Sequence, residues 1–123
     1  MKQIEKKAYM LLKAVIFYYH GLDEDEKQNL TETADELKAH DELKWAYEFI
    51  SQDHMTSFER ARDYLSGVVG DMDIDKRIEY IHLVWKANLL KGFITEMEAT
   101  AMLKFAKDWN VHDELLSLVR SKS

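Results

Sequence analysis

The tetrapeptide His40-Asp41-Glu42-Leu43 recurs 72 residues later as His112-Asp113-Glu114-Leu115, and the same offset lays Glu24, Glu26 and Ala34 on Glu96, Glu98 and Ala106. These are seven identities in the 23 positions from Gly21 to Leu43, where unrelated sequence gives on the order of one or two. The chain is built twice. Whatever one copy folds into, the other is expected to repeat, so the architecture has to divide into two similar parts.

Proline is absent, and the four glycines (Gly21, Gly67, Gly70, Gly92) sit between apolar-periodic stretches rather than inside them. That pattern predicts helices ended near glycine and no strands. The spacing of Ala8, Leu11, Leu12, Val15, Ile16 and Tyr19 places a first helix from about Gln3 to Tyr19. Its end, Val15-Ile16-Phe17-Tyr18-Tyr19, is apolar or aromatic all round, which requires neighbours on most sides. After Gly21, Asp23-Glu24-Asp25-Glu26 has the N-cap acid and the Glu three residues on that open a second helix, with Leu30, Ala34 and Leu37 inward. A third, capped by Asp41, carries Leu43, Trp45, Ala46, Tyr47, Phe49 and Ile50 on a wide apolar surface. Thr56-Ser57-Phe58-Glu59 reads as another capping box, opening a fourth helix with Phe58, Ala61 and Leu65 inward.

The fourth helix has no counterpart and is expected to connect the copies. The second copy starts near Asp73 with a long helix through Ile74, Ile78, Ile81, Trp85 and Leu89. Setting Gly21 on Gly92 puts Tyr9 on Tyr80 and Leu12 on Leu83, with a one-residue insertion at Phe93. Thr95-Glu96-Met97-Glu98 repeats the capping box, Met102, Phe105, Ala106 and Trp109 carry the stripe, Asn110 closes it, and Asp113 caps a last helix ending near Arg120. The expectation is a single all-α domain, 1–123, of about seven helices. Two pseudo-symmetric three-helix units, about 3–51 and about 73–121, flank a connector at 55–67, with the two long helices packed across a pseudo-twofold axis.

A chain of this length can bury roughly two thirds of its unfolded surface around one core. With no cysteine, disulfides and thiolate metal sites are excluded and a cytoplasmic address is expected. The formal charge of -6 argues against nucleic acid and gives no attraction to anionic lipid. No apolar run approaches the ~20 residues of a membrane span, and Met1-Lys2-Gln3-Ile4-Glu5-Lys6-Lys7 lacks a signal peptide's apolar core, so a soluble, unprocessed protein without membrane insertion is expected. His-Asp-Glu-Leu is a retention signal only at an extreme C-terminus, where neither copy lies. Nucleophilic chemistry finds no Cys and no Gly-x-Ser-x-Gly, and the glycines are too scattered for a phosphate loop.

The turn Gly92-Phe93-Ile94-Thr95-Glu96-Met97-Glu98, after a long amphipathic helix, resembles the helix-turn-helix signature of the TerB-like family associated with tellurite resistance. Gly21-Leu22-Asp23-Glu24-Asp25-Glu26 is a shortened version of it. The resemblance covers nearly the whole chain and implies a compact all-helical domain in which this turn occurs twice. It also implies acidic turns that help to hold a divalent metal, with Asp23, Glu26, Glu96 and Glu98 as the candidate ligands and no other cofactor. The acid that the family pattern places before each glycine is here His20 and Lys91, and a lysine repels a cation. The competing reading of the four acids is that they cap helices and complement their dipoles.

Asp71-Met72-Asp73-Ile74-Asp75 begins like a calcium loop, but Lys76 stands where glycine is needed and His82 where a bidentate Glu should be, so helix capping is the expectation. Glu79 and His82 have the i, i+3 spacing of di-iron bundles without the second motif such sites require, which leaves His82 as a partly buried histidine and Glu79 as solvated. His40 and His112 each precede a capping Asp. Trp45, Trp85 and Trp109 fall on apolar stripes and are expected in the core. Three functions fit. A TerB-like, non-enzymatic interaction or scaffold domain with a protein partner, linked to metal or envelope stress, leads. The others are a duplicated helical module with no metal role, docking its partner on an apolar surface, and a metal-dependent enzyme assembled from carboxylates distant in sequence.

Overall fold

In the computed structural model residues 1–19, 21–89 and 94–121 are described, and every regular element among them is helical. The order is α1 (Gln3–Tyr19), α2 (Glu24–Leu37), α3 (His40–Ser51), a 3₁₀ turn (His54–Thr56), α4 (Ser57–Val68), α5 (Ile74–Asn88), α6 (Glu96–Asp108) and α7 (His112–Ser121). The chain divides into two compact units, Met1–Asp63 and Tyr64–Ser123, and the division falls inside α4. His20 and the stretch of Lys91, Gly92 and Phe93, with the insertion assigned to Phe93, lie outside the described residues. Among the described residues no helix is long and apolar enough to cross a membrane.

In the first unit α1, α2 and α3 each pack against the other two, α1 most extensively on α3. Val15, Ile16 and Phe17, consecutive and pointing in three directions, are all buried, as the all-round apolar run requires. Leu11, Leu12, Leu30, Ala34, Ala46 and Ile50 are buried with them. The amine of Lys13 is drawn between α1 and α2, donating to Thr33 Oγ1 (2.8 Å), which in turn donates to the Asn29 carbonyl (2.9 Å). Burial lowers the Lys13 pKa, and the nearby carboxylates of Glu36 and Glu32 push it back up.

Helix ends follow from backbone needs. Gly21 takes φ +88°, a conformation that costs glycine little. The Asp23 box forms: Asp23 Oδ1 accepts from the Glu26 amide (2.8 Å) and Glu26 Oε1 from the Asp23 amide (3.1 Å). α2 ends on Lys38 in the left-handed region (φ 55°), with the Ala39 amide donating back to the Ala34 carbonyl at 2.8 Å. The chain then enters α3 at once. Its N-cap is Ala39, which has no side chain to offer, so Asp41 lies inside the first turn instead of capping. The box read at Thr56 to Glu59 is also replaced, because the 3₁₀ turn leads straight into α4. Asp53 caps that turn by accepting from the Met55 amide (3.1 Å), while Glu59 pairs with Arg62 (3.0 Å).

In the second unit α5, α6 and α7 again pack each on the other two. α4 runs through Gly67, which is exposed, and ends at Val68; two residues on, a Cβ at Gly70 would lie 2.2 Å from the Ser66 carbonyl oxygen. Asp73 caps α5 by accepting from the Lys76 amide (3.0 Å), and the Thr95 box forms with Glu98. Tyr80, Ile81, Val84, Trp85, Met102, Phe105, Trp109 and Leu115 are buried. Leu83, matched in sequence to the fully buried Leu12, is only partly covered, and Ile74 is exposed. The cause is geometric: α5 buries the stripe of Tyr80, Ile81, Val84, Trp85 and Asn88, and Leu83 lies at its edge. Asn110 takes φ 57° and the Val111 amide donates to the Ala106 carbonyl at 2.8 Å, the same bond as Ala39 to Ala34, 72 residues on. Arg77 ties the start of α5 to the α6–α7 turn, donating to the carbonyls of Met72 (3.1 Å) and Trp109 (2.9 Å).

Candidate functional site

The four acids implicated by the resemblance are placed by their caps. Asp23 and Glu26 serve α2 in the first unit, and Glu96 and Glu98 open α6 in the second. Thr95 Oγ1 accepts from the Glu98 amide (3.2 Å), Glu98 Oε1 accepts from the Thr95 amide (2.9 Å), and the Glu98 side chain is buried where Glu26 is half-exposed. Asp23 and Glu96 face solvent. Among the described residues no three His, Asp or Glu side chains come together as a group able to hold a metal ion.

The remaining candidates separate. Asp71 and Asp75 are exposed on either side of the capping Asp73. Glu79 is exposed and pairs with Lys76 (3.4 Å), and His82 is exposed rather than partly buried, because it lies off the buried stripe of α5. His40 Nε2 meets Asp35 Oδ1 at 2.5 Å on the surface. Trp85 and Trp109 are core as expected; Trp45 is half-exposed, with the Lys7 amine 5.1 Å from its ring centroid and the Phe49 ring 5.6 Å away, tilted by 53°.

Nothing in the residue pattern announces the cleft that the first unit carries, an aromatic groove of about 210 Å³ lined by Val15, Tyr18, Tyr19, His54, Met55, Ser57 and Phe58. Three segments build it: the last turn of α1, the 3₁₀ turn and the start of α4. Tyr19 leans on Phe58 at 4.7 Å between centroids, and Tyr18 lies 5.7 Å from His54 and 6.5 Å, edge-on, from Tyr47. Burial raises the pKa of the Tyr47 phenol, helped by the neighbouring Tyr18. Arg60 holds the 3₁₀ turn in place by donating to the carbonyls of Phe49 (2.9 Å) and Asp53 (2.8 Å) and to Thr56 Oγ1 (2.9 Å), with its guanidinium 4.9 Å from the Phe49 ring centroid. A planar fork with five donors can join the end of α3, the turn and α4 in this way; a lysine could not.

At the lip stands Met55, 94 % exposed on this clamped turn. Large apolar side chains and aromatic rings are what protein interfaces select, and no Asp, Glu, Lys or Arg lines the groove among the described residues. Chemically the arrangement offers apolar contact and phenol, imidazole and hydroxyl groups, the Ser57 hydroxyl donating to the His54 carbonyl (2.9 Å). Compared with known proteins, the chain matches no family model, no curated protein and no solved structure at a significant level.

Proposed function

We propose that this chain is a non-enzymatic, TerB-like interaction domain whose two repeats form a pseudo-symmetric pair of three-helix units and whose first unit docks a protein partner in the aromatic groove. The observation that carries the reading is Met55, held almost fully in solvent on a turn clamped by Arg60 beside an uncharged aromatic cleft. Met55 with Tyr18, Tyr19 and Phe58 gathers apolar contact area into one patch, which an isolated exposed methionine would not provide. The repeated capping boxes support the two-copy reading, and in them one carboxylate oxygen each of Asp23, Glu26 and Glu98 accepts from a backbone amide.

A test uses a helical peptide bearing Met and Leu at i, i+3 and i+4 as the probe. Amide shifts confined to Tyr18, Tyr19, His54, Met55 and Phe58 are expected on titration, and shifts elsewhere or none would sink the docking reading. Calorimetry with calcium, magnesium and zinc addresses the metal-linked form of the family reading. Micromolar binding lost on Glu26→Gln or Glu98→Gln would restore the acidic turns as ion sites; silence leaves them as caps.

A further inference from the structure

Resting on the docking reading just given, we infer that Met55 is an oxidation site that controls the groove: a hydroperoxide converts its thioether to the sulfoxide in the folded protein, and the sulfoxide weakens docking of an apolar partner. The six methionines divide by exposure. Met10 and Met102 are buried in the first and second units and Met72 is half-buried, whereas Met97, Met1 and Met55 are 57 %, 60 % and 94 % exposed. Of these last three it is Met55 that lines the groove. Its turn is fastened on both sides. The Met55 amide donates to Asp53 Oδ1 (3.1 Å), and Arg60 donates to the Asp53 carbonyl (2.8 Å), so an oxidant reaches the sulfur without any local unfolding.

The step is an oxygen transfer. A sulfur lone pair attacks one peroxide oxygen, the S–O bond forms as the O–O bond breaks, and the proton passes to the departing oxygen. That oxygen leaves as water, or as an alcohol from an organic hydroperoxide, so sulfur is oxidised and the peroxide reduced in balance. A flexible apolar side chain thereby becomes a polar one. At the lip of an aromatic groove the sulfoxide oxygen holds water that an incoming apolar side chain displaces without replacing its hydrogen bond, a loss on the order of tenfold in affinity. The exposed side chain supports no core packing, so the fold survives the change, and the product stays open to a methionine sulfoxide reductase, which makes the change reversible.

Peptide mapping by mass spectrometry of the full chain treated with hydrogen peroxide is expected to show Met55 sulfoxide ahead of Met72, Met10 and Met102, and no later than Met1 and Met97. While Met10 and Met102 are still intact the unfolding midpoint should be unchanged. With the peroxide then removed, the Met- and Leu-bearing peptide should bind about tenfold more weakly, and a sulfoxide reductase should restore the affinity. Met55→Leu cannot form the sulfoxide, so peroxide should leave its peptide affinity wherever that variant started, while Met97→Leu should lose affinity as the parent does. Met55 oxidised later than Met72, or a peroxide-induced loss that persists in Met55→Leu, overturns the inference. If the peptide binds the untreated chain and oxidation changes nothing, the control by oxidation fails and the docking reading stands; if the peptide never binds, both fall.

Discussion

Gly67 in the last turn of α4 and Gly70 in the turn after it place opposite demands on a side chain. At Gly67 a Cβ meets nothing within 4 Å and the backbone is helical, so Gly67→Ala should stabilise the protein by about 0.5–1 kcal/mol through helix propensity and a less free unfolded chain. At Gly70 the added carbon would sit 2.2 Å from the Ser66 carbonyl oxygen, a backbone atom that cannot swing aside. Gly70→Ala should therefore destabilise by more than about 1 kcal/mol. Urea unfolding of the two variants checks both signs, and a loss at Gly67 or a gain at Gly70 would contradict the described end of α4. Lys38 and Asn110 show how loosely residue type follows conformation. Both are left-handed, at φ 55° and 57°, but only asparagine is a residue that commonly takes that role.

The helices differ in how much of their circumference they bury, and mutation should report it. Leu12 on α1 is fully buried, so Leu12→Ala should cost roughly 2–5 kcal/mol. Leu83, its sequence match on α5, is partly covered, and Leu83→Ala should cost about 1 kcal/mol. Equal losses would mean that α5 turns a different face inward. Removing the α6 cap by Thr95→Ala should cost about 1 kcal/mol, with a melting temperature indifferent to millimolar magnesium or calcium in both proteins. A rise of several degrees with metal, abolished by Glu98→Gln, would show that capping is only part of what that turn does. These caps were legible as sequence because both partners lie three residues apart. Asp41 and Thr56 were misread because a preceding turn, at Ala39 and at His54–Thr56, had already taken over the start of the helix.

Across the whole molecule, high pH should be the weak side. Burial raises the pKa of Tyr9, Tyr47 and Tyr64 above 10.0, so the folded state holds phenol protons that the unfolded chain has begun to release. Their stabilising contribution is complete below pH 10 and is lost as pH rises through the folded values. Lys13 runs the other way. Its pKa is lowered below 10.5, so keeping the amine protonated costs stability, a cost that fades as pH rises towards that value. With three tyrosines against one lysine, the urea midpoint should fall as pH rises above 10. Phenolate absorbance near 295 nm should appear later in the folded protein than in urea. Coincident curves would show that these phenols are not desolvated.

Helix content, the order of the elements and the two capping boxes all followed from residues close together in the chain, where period and spacing are themselves the physics. Burial did not. His82 and Ile74 are exposed, Trp45 is half-exposed and Glu98 is buried, although each sits on a helix read correctly, because coverage depends on which neighbour arrives from elsewhere in the chain. The groove is the extreme case. It needs Tyr18 and Tyr19, Met55 and Phe58 brought together across some forty residues, and it needs Arg60 to fasten the intervening turn to the end of α3. Local preferences act over one or two turns of helix and specify each element alone. Only packing decides which side chains face one another, and so only the tertiary structure could show the groove.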